Sequence, residues 1–272
     1  QQLASVFEDT MARIKQSLDF TNATNFSIQN QQFIPASAII SISDVPKADK
    51  PANIIVSQLR SFEAAAQYIG KRTAVLNFAS ATNPGGGVEK GASAQEECLC
   101  RVSTLYPCLA DQKMRASFYT PHRKNGNTLH NDDIIYTPKV LIIKDDDHNM
   151  LATPFLVDVI SCAAPNLREK PNNAYNSGDG NKVQISDNEL LALHEKRARK
   201  IFASAIANGV EVLILGAFGC GAFQNDPHIV AQAYKNVLPA FAHYFHTIEF
   251  AIYCRPADSI NYDAFKSTIL NS

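Results

Sequence analysis

Two apolar runs that each break into glycine constrain this chain more than any other feature. TAVLNFA, residues 73–79, runs into a turn containing NPGGG, and VEVLILGAF, residues 210–218, runs into GCGAF. Both runs read as strands buried on both faces. Each turn is followed by helical spacing: ASAQEECL after the first and DPHIVAQAY after the second. Strand, glycine turn and helix, occurring twice, predict an α/β fold in which two glycine turns sit at strand ends of one sheet.

The rest of the chain fits around these units. Residues 1–19 space Leu3, Val6, Phe7, Met11, Ile14 and Leu18 along one helical face. SAIISIS (37–43) and NIIVSQ (53–58) read as strands, and a helix from about Ser61 ends at Gly70. Ser93 followed by Glu96 has the spacing of a capping box, opening a helix with an apolar stripe of Cys98, Val102, Leu105, Tyr106 and Leu109. IIYTPKVLIIKD (134–145) and PFLVDVISCAA (154–164) form a strand pair joined through the acidic turn KDDDHNM. Residues 165–186, rich in Asn, Pro and Gly, read as a long surface loop. Ser186 and Glu189 make a second capping box for a helix that Gly209 closes. A helix from about Asp226 to Phe245, a strand HTIEFAIYC and a terminal helix complete the chain. No repeat or linker divides it, so residues 1–272 are expected to form a single domain with an N-terminal helical extension of about residues 1–35.

Composition narrows the function. A formal charge of -1 argues against bulk attraction to nucleic acid or to an anionic membrane. An anionic ligand would therefore be held by local amides and a few placed cations. None of the six cysteines falls in a C-x-x-C pair, so they read as free thiols in a reducing compartment rather than as zinc ligands. No run of 18 apolar residues is present, and a soluble intracellular protein of cytoplasm or nucleus is expected. Asp145, Asp146, Asp147 and His148 read as a solvated hairpin tip rather than a metal site. His194-Glu195 reads as a solvent face, and Arg115, His122, Arg123 and Lys124 as an exposed basic patch.

Glycine allows close approach and positive φ, so consecutive amides in such turns can converge on phosphate oxygens. Two such turns predict the walls of a cleft for a phosphate-bearing ligand. Neither fits the G-x-G-x-x-G dinucleotide pattern or the G-K-[ST] phosphate loop. Two adjacent carboxylates behind the first turn then need a reason, because they repel a phosphate. Neighbours on a helix point about 100° apart, so Glu96 and Glu97 cannot duplicate one role. Glu96 could close the capping box, and Glu97 could pair with Arg101 one turn on.

The triplet Gly85-Gly86-Gly87, seven residues and then Gln95-Glu96-Glu97 resembles the signature of microbial-type poly(ADP-ribose) glycohydrolases. NFASATNPGGGVEKGASAQEECLCRVSTLYPCL, YTPKVLIIKDDD, FLVDVISCAAPN and LILGAFGCGAFQNDP resemble that family in the same order, over roughly residues 1–255. The resemblance implies a macrodomain-like three-layer α/β fold, with a central mixed β-sheet flanked by helices on both faces. It implies hydrolysis of ribose–ribose O-glycosidic bonds in poly(ADP-ribose), releasing ADP-ribose without metal or cofactor. Glu97 takes the acid/base role, and Glu96 positions the ribose beside the scissile bond. Gly85, Gly86 and Gly87 approach the proximal ribose and pyrophosphate, Gln95 belongs to the substrate-binding set, and Asn77 and Asn83 lie near the proximal ribose or else cap a strand end or turn. Gly219, Cys220, Gly221 and Ala222 form the opposing diphosphate loop, and Phe223 either stacks on the adenine side or packs in the core. Such an enzyme takes poly(ADP-ribose) or an ADP-ribosylated protein as substrate, binds neither DNA nor membrane, and works as a monomer. A mono-ADP-ribosyl-protein hydrolase and a non-catalytic reader of ADP-ribose are the alternatives; a reader has no need of two acids beside the ribose.

Overall fold

A computed structural model describes residues 1–171 and 180–271. Helices α1 (Gln2–Gln16) and α2 (Leu18–Asn30) lead into strand β1 (Gln32–Ile34). There follow β2 (Asn53–Ser57), α3 (Ser61–Ala65), β3 (Thr73–Phe78), α4 (Gln95–Val102) and α5 (Leu105–Leu109). The short helices α6 (Gln112–Met114) and α7 (Thr120–Asn125) precede the hairpin β4 (Ile134–Lys144) and β5 (Met150–Cys162). Helix α8 (Asp187–Ala207), β6 (Val212–Leu215), α9 (Pro227–Phe241), β7 (Thr247–Ala251) and α10 (Ile260–Leu270) complete the order.

The seven strands form one mixed sheet, ordered β1-β4-β5-β3-β6-β7-β2. β1 and β5 pair antiparallel to β4, while β5, β3, β6, β7 and β2 run parallel. Side chains alternate across β3, so Ala74 and Leu76 join one core and Val75 the other. The first core packs α8, α9 and α10 through Ile201, Phe202, Tyr234, Val237 and Phe265. The second packs α1, α3, α4 and α5 through Phe7, Phe62, Leu99, Leu105 and Leu109. This is a three-layer α/β fold with helices on both faces of the sheet, as the sequence predicts.

The local differences have physical causes. Residues 37–43 form no strand; they belong to the connection from β1 at one sheet edge to β2 at the other. The Lys200 ammonium donates to the carbonyls of Pro35, Ala36 and Ala38, which a ladder would otherwise satisfy. The first predicted helix breaks at Ser17, whose hydroxyl accepts from the Phe20 amide and starts α2; Leu18 is consequently exposed. The helix predicted through Leu109 also divides, because Ser103 bridges to Ile142 of β4. α1 packs onto the second core through Phe7, Ile14 is also buried, and the Thr10 hydroxyl donates to the Arg101 carbonyl. The loop expected at 165–186 lies partly outside the described residues.

The Ser186 box forms as expected: the Glu189 amide donates to Ser186 Oγ at 3.2 Å and the Ser186 amide to Glu189 Oε2 at 2.9 Å. Ser186→Ala should therefore destabilise the fold by about 1 kcal/mol. Urea denaturation would show this as a lower midpoint at unchanged slope, and an unchanged midpoint would mean the box contributes nothing.

Candidate active site

A cleft of about 720 Å³ lies along the carboxyl ends of the parallel strands. Its central fixture is the start of α4, held to β3 by Gln95. The Gln95 carboxamide accepts from the Phe78 amide at 2.8 Å and donates to the Leu76 carbonyl at 2.7 Å and Ser61 Oγ at 3.1 Å. Gln95 lines the cleft, yet all three of these bonds are spent on the protein. It acts as a strut.

Glu96 does not close a capping box with Ser93. The N-cap of α4 is Ala94, without a side-chain cap bond, and Glu96 turns inward. Glu96 Oε1 accepts from the Ser80 amide at 3.0 Å and Oε2 from Asn77 Nδ2 at 2.8 Å. Asn77 is fully buried on β3 and also donates to Ser161 Oγ at 3.0 Å, so it reaches the cleft only through Glu96. Burial is the chief cause that pushes the Glu96 carboxyl up to about 8; the Ser80 and Asn77 donors oppose it, and the Glu97 charge adds to it.

Glu97 is also buried and points about 100° away, toward the first glycine turn. Its Oε1 accepts from the Gly87 amide at 2.9 Å, and its Oε2 has no hydrogen-bond partner. It makes no pair with Arg101, which instead donates to the Ala92 carbonyl and approaches Cys98 Sγ at 3.5 Å. Gly85 and Gly86 both have positive φ. At Gly86 a Cβ would collide with the Glu97 carboxylate, and at Gly85 with the Tyr106 ring. Asn83 braces the turn: its side chain donates to the Gly86 carbonyl, and the Gly86 amide donates to the Asn83 carbonyl at 2.9 Å.

The second turn faces the first. Gly219 has positive φ and sits too close to Ala164 and Asn225 for any side chain. Among the described residues nothing accepts from the amides of Gly219, Gly221, Ala222 or Phe223, although the Cys220 amide is bonded to the Ala217 carbonyl at 3.1 Å. Four unspent amides in one turn make an anion-binding concavity. Phe223 is half-buried at the β5 end of the cleft, its ring 6.0 Å from His130 and 5.5 Å below the Arg168 guanidinium. It also packs against the first core.

Several site residues escape the sequence reading. His194 is no solvent face: it is 3% exposed and bonds Asn225 Oδ1 at 2.8 Å. Burial lowers its imidazole to about 4. Asn225 in turn donates to the carbonyls of Pro165 and Gly219 and so fixes the second turn. The spacing Leu190, His194, Arg197, Ile201 on α8 carried that signal, because all four are buried. His122 is likewise buried, bonded to the Phe118 carbonyl at 2.7 Å, not part of an exposed patch. Arg60 and Tyr253, stacked at 3.9 Å, line the opposite end of the cleft. Asp145 Oδ1 accepts from the Asp147 and Asn149 amides, shaping the hairpin tip. Among the described residues no group of three or more His, Cys, Asp or Glu is placed to hold a metal ion, and no helix is long and apolar enough to cross a membrane. All six cysteines are free thiols.

Two facing glycine turns with a buried carboxyl pair between them define a macrodomain-like glycosidase. The profile of the microbial-type PARG (poly(ADP-ribose) glycohydrolase) catalytic domain matches residues 6–145, and the chain belongs to that family. The poly(ADP-ribose) glycohydrolase of Thermomonospora curvata is 28% identical, with TM-score 0.84 over 98% of this chain and 99% of that one. The same enzyme bound to the inhibitor ADP-HPD gives TM-score 0.82 at 28% identity over 97% of this chain and 98% of that one. That of Deinococcus radiodurans in complex with ADP-ribose gives TM-score 0.76 at 28% identity over 91% of this chain and 96% of that one. Among curated proteins none matches the sequence.

The raised Glu96 carboxyl has a consequence for stability. Its ordinary value is 4.5, and the folded state holds the proton up to about 8. Its stabilising contribution is full below pH 4.5 and is lost as pH rises through 8. Glu96→Gln keeps the shape, and Asn77, whose Oδ1 is unpartnered, can turn its amide to meet it. Between about pH 5 and 8.5 the melting temperature of the wild type should fall relative to that of Glu96→Gln. Parallel melting curves across that range would contradict the assignment.

Proposed function

We propose that this chain hydrolyses the ribose–ribose O-glycosidic bond of poly(ADP-ribose) and releases ADP-ribose, with Glu97 as general acid and base. The observation that carries the reading is Glu97 Oε2, a buried carboxyl oxygen on the wall of a phosphate-ready cleft with no partner of its own. A buried acceptor left unsatisfied costs about 1–3 kcal/mol unless a ligand meets it.

Strand order supplies the ligand's direction. Glu96 stands over β3 through Asn77, and the unspent amides belong to the turn after β6. With the terminal ribose at the glutamates, the adenosine needs the longer arm of the cleft. From β3 that arm runs past β6 and β7 to β2, three strand spacings or about 14 Å. It ends on Tyr253, which is half-exposed and carries Arg60 on its face. Phe223 is then left to the ribose side rather than the adenine side that the sequence resemblance implies.

Cleavage passes through an oxocarbenium-like state at the ribose C1″. Glu96, held up to about 8, keeps its proton at neutral pH. Glu97 Oε2, which spends no bond on the protein, is the oxygen placed to pass a proton to the departing 2′-oxygen of the next unit. Glu97 then takes a proton from the water that attacks C1″, which restores the acid. Glu96, fixed on both oxygens by the Ser80 amide and Asn77, positions the ribose beside the scissile bond. The products are ADP-ribose and a chain shortened by one unit.

Glu97→Ala should lower polymer hydrolysis by about 10²–10⁴-fold while ADP-ribose still binds, measured by chromatography of released ADP-ribose and by calorimetry. Turnover confined to a mono-ADP-ribosylated protein would move the activity to that substrate. Binding without any turnover by the wild type would make the protein a reader.

A further inference from the structure

The short arm of the cleft, on the β5 side of the glutamates, is also built to bind. Arg168 lines it with no carboxylate partner among the described residues. Its neighbour Glu169 is engaged by Lys182 at 3.1 Å. Asn166, 3% exposed, accepts from both the Arg168 amide (3.3 Å) and Arg168 Nε (3.1 Å). That bond spends Nε and leaves both Nη groups of the guanidinium fork without a bond among the described residues. The Phe223 ring supports the guanidinium from below at 5.5 Å. A cation held by its inner nitrogen and braced on an aromatic face is pre-organised for bidentate contact with phosphate.

His130 forms the adjoining wall. Its Nδ1 bonds the Ala164 carbonyl at 2.8 Å, and Nε2 has no partner among the described residues. Burial lowers its imidazole to about 3, so it is neutral, and Nε2 presents a hydrogen-bond acceptor. Its backbone is held at φ 59, and Arg197 secures the loop by donating to the carbonyls of Leu129 and Ala163 and pairing with Asp132.

We infer that Arg168, with His130 and Phe223, forms the subsite for the leaving side of the substrate: the ADP-ribose unit whose 2′-oxygen departs. This rests on the glycohydrolase reading and extends it. The leaving ribose carries a diphosphate on its 5′ carbon, and Arg168 pairs with that diphosphate. His130 Nε2 accepts from a hydroxyl or amine of the same unit. The subsite selects a nucleotide leaving group over an amino-acid side chain, which has no phosphate to offer Arg168.

The test compares a defined ribose–ribose-linked ADP-ribose dimer with ADP-ribose itself, by calorimetry in a Glu97→Ala background that blocks turnover. The dimer should bind about 10–100-fold more tightly than the monomer, with a steeper dependence on salt. Arg168→Gln should erase that advantage and the extra salt dependence. Arg168→Lys, which keeps the charge but not the fork, should restore part of both. Equal affinity for dimer and monomer in the parent, or an equal loss for both ligands in Arg168→Gln, would overturn the subsite. Failure of the wild type to cleave polymer would sink the glycohydrolase reading, while the dimer–monomer comparison would still decide this one.

Discussion

The site depends on burying a carboxyl at the start of a helix and fastening that helix to the central strand. An unpaired charge is costly to bury, so Glu96 is retained only because two donors converge on it and a proton remains available. Both donors come from the same strand and its exit, Asn77 on β3 and the Ser80 amide just beyond. Gln95 then fixes the register, because its carboxamide spans the backbone of Leu76 and Phe78. Were α4 to rotate by one residue, Glu97 would face β3 and Glu96 would be driven toward solvent. The clamp is thus what makes two neighbouring acids into two different groups.

The opposite wall is held by a longer chain of contacts. His194 on α8 fixes the Asn225 amide, and Asn225 fixes the carbonyls of Gly219 and Pro165. Because those carbonyls are taken, the neighbouring amides of the turn are free to face the cleft. Buried hydrogen bonds of this kind rigidify what they touch, so the turn with its unspent amides is shaped before any ligand arrives. The same logic holds at the β5 end, where Asn166 spends one nitrogen of Arg168 and so orients the other two.

The parts of this architecture governed by local rules were legible in the sequence. The buried runs at 73–79 and 210–218, the hairpin through KDDDHNM, the Ser186 box and the glycine turns all follow from composition and spacing. The errors arise where tertiary contacts override local preference. Ser93 and Glu96 have capping spacing, but Glu96 gains two buried donors by turning inward. Residues 37–43 alternate like a strand, but Lys200 captures the carbonyl of Ala38 within them and those of Pro35 and Ala36 just before them. His194 reads as solvent-exposed only when taken with Glu195; taken with Leu190 and Ile201, it lies on the buried stripe of α8. Asn77 is buried on β3 and meets Glu96 and Ser161, a pairing that spacing alone does not show. A chain of contacts is not written in spacing.

The first glycine turn shows why the signature needs both of its halves. Gly87 donates its amide to one oxygen of Glu97, and Gly86 must lack a side chain because that carboxylate lies against its Cα. The turn therefore does two things at once: it lets the carboxyl approach, and it leaves the second oxygen without a protein partner. A turn with side chains would push Glu97 into the cleft, where solvent would satisfy both oxygens and remove the difference between the two acids. Glycines that look like a phosphate loop serve the carboxylate first, while the unspent amides belong to the turn on the other wall. The triplet and the acid pair are one device, with the seven intervening residues closing the loop that brings them together.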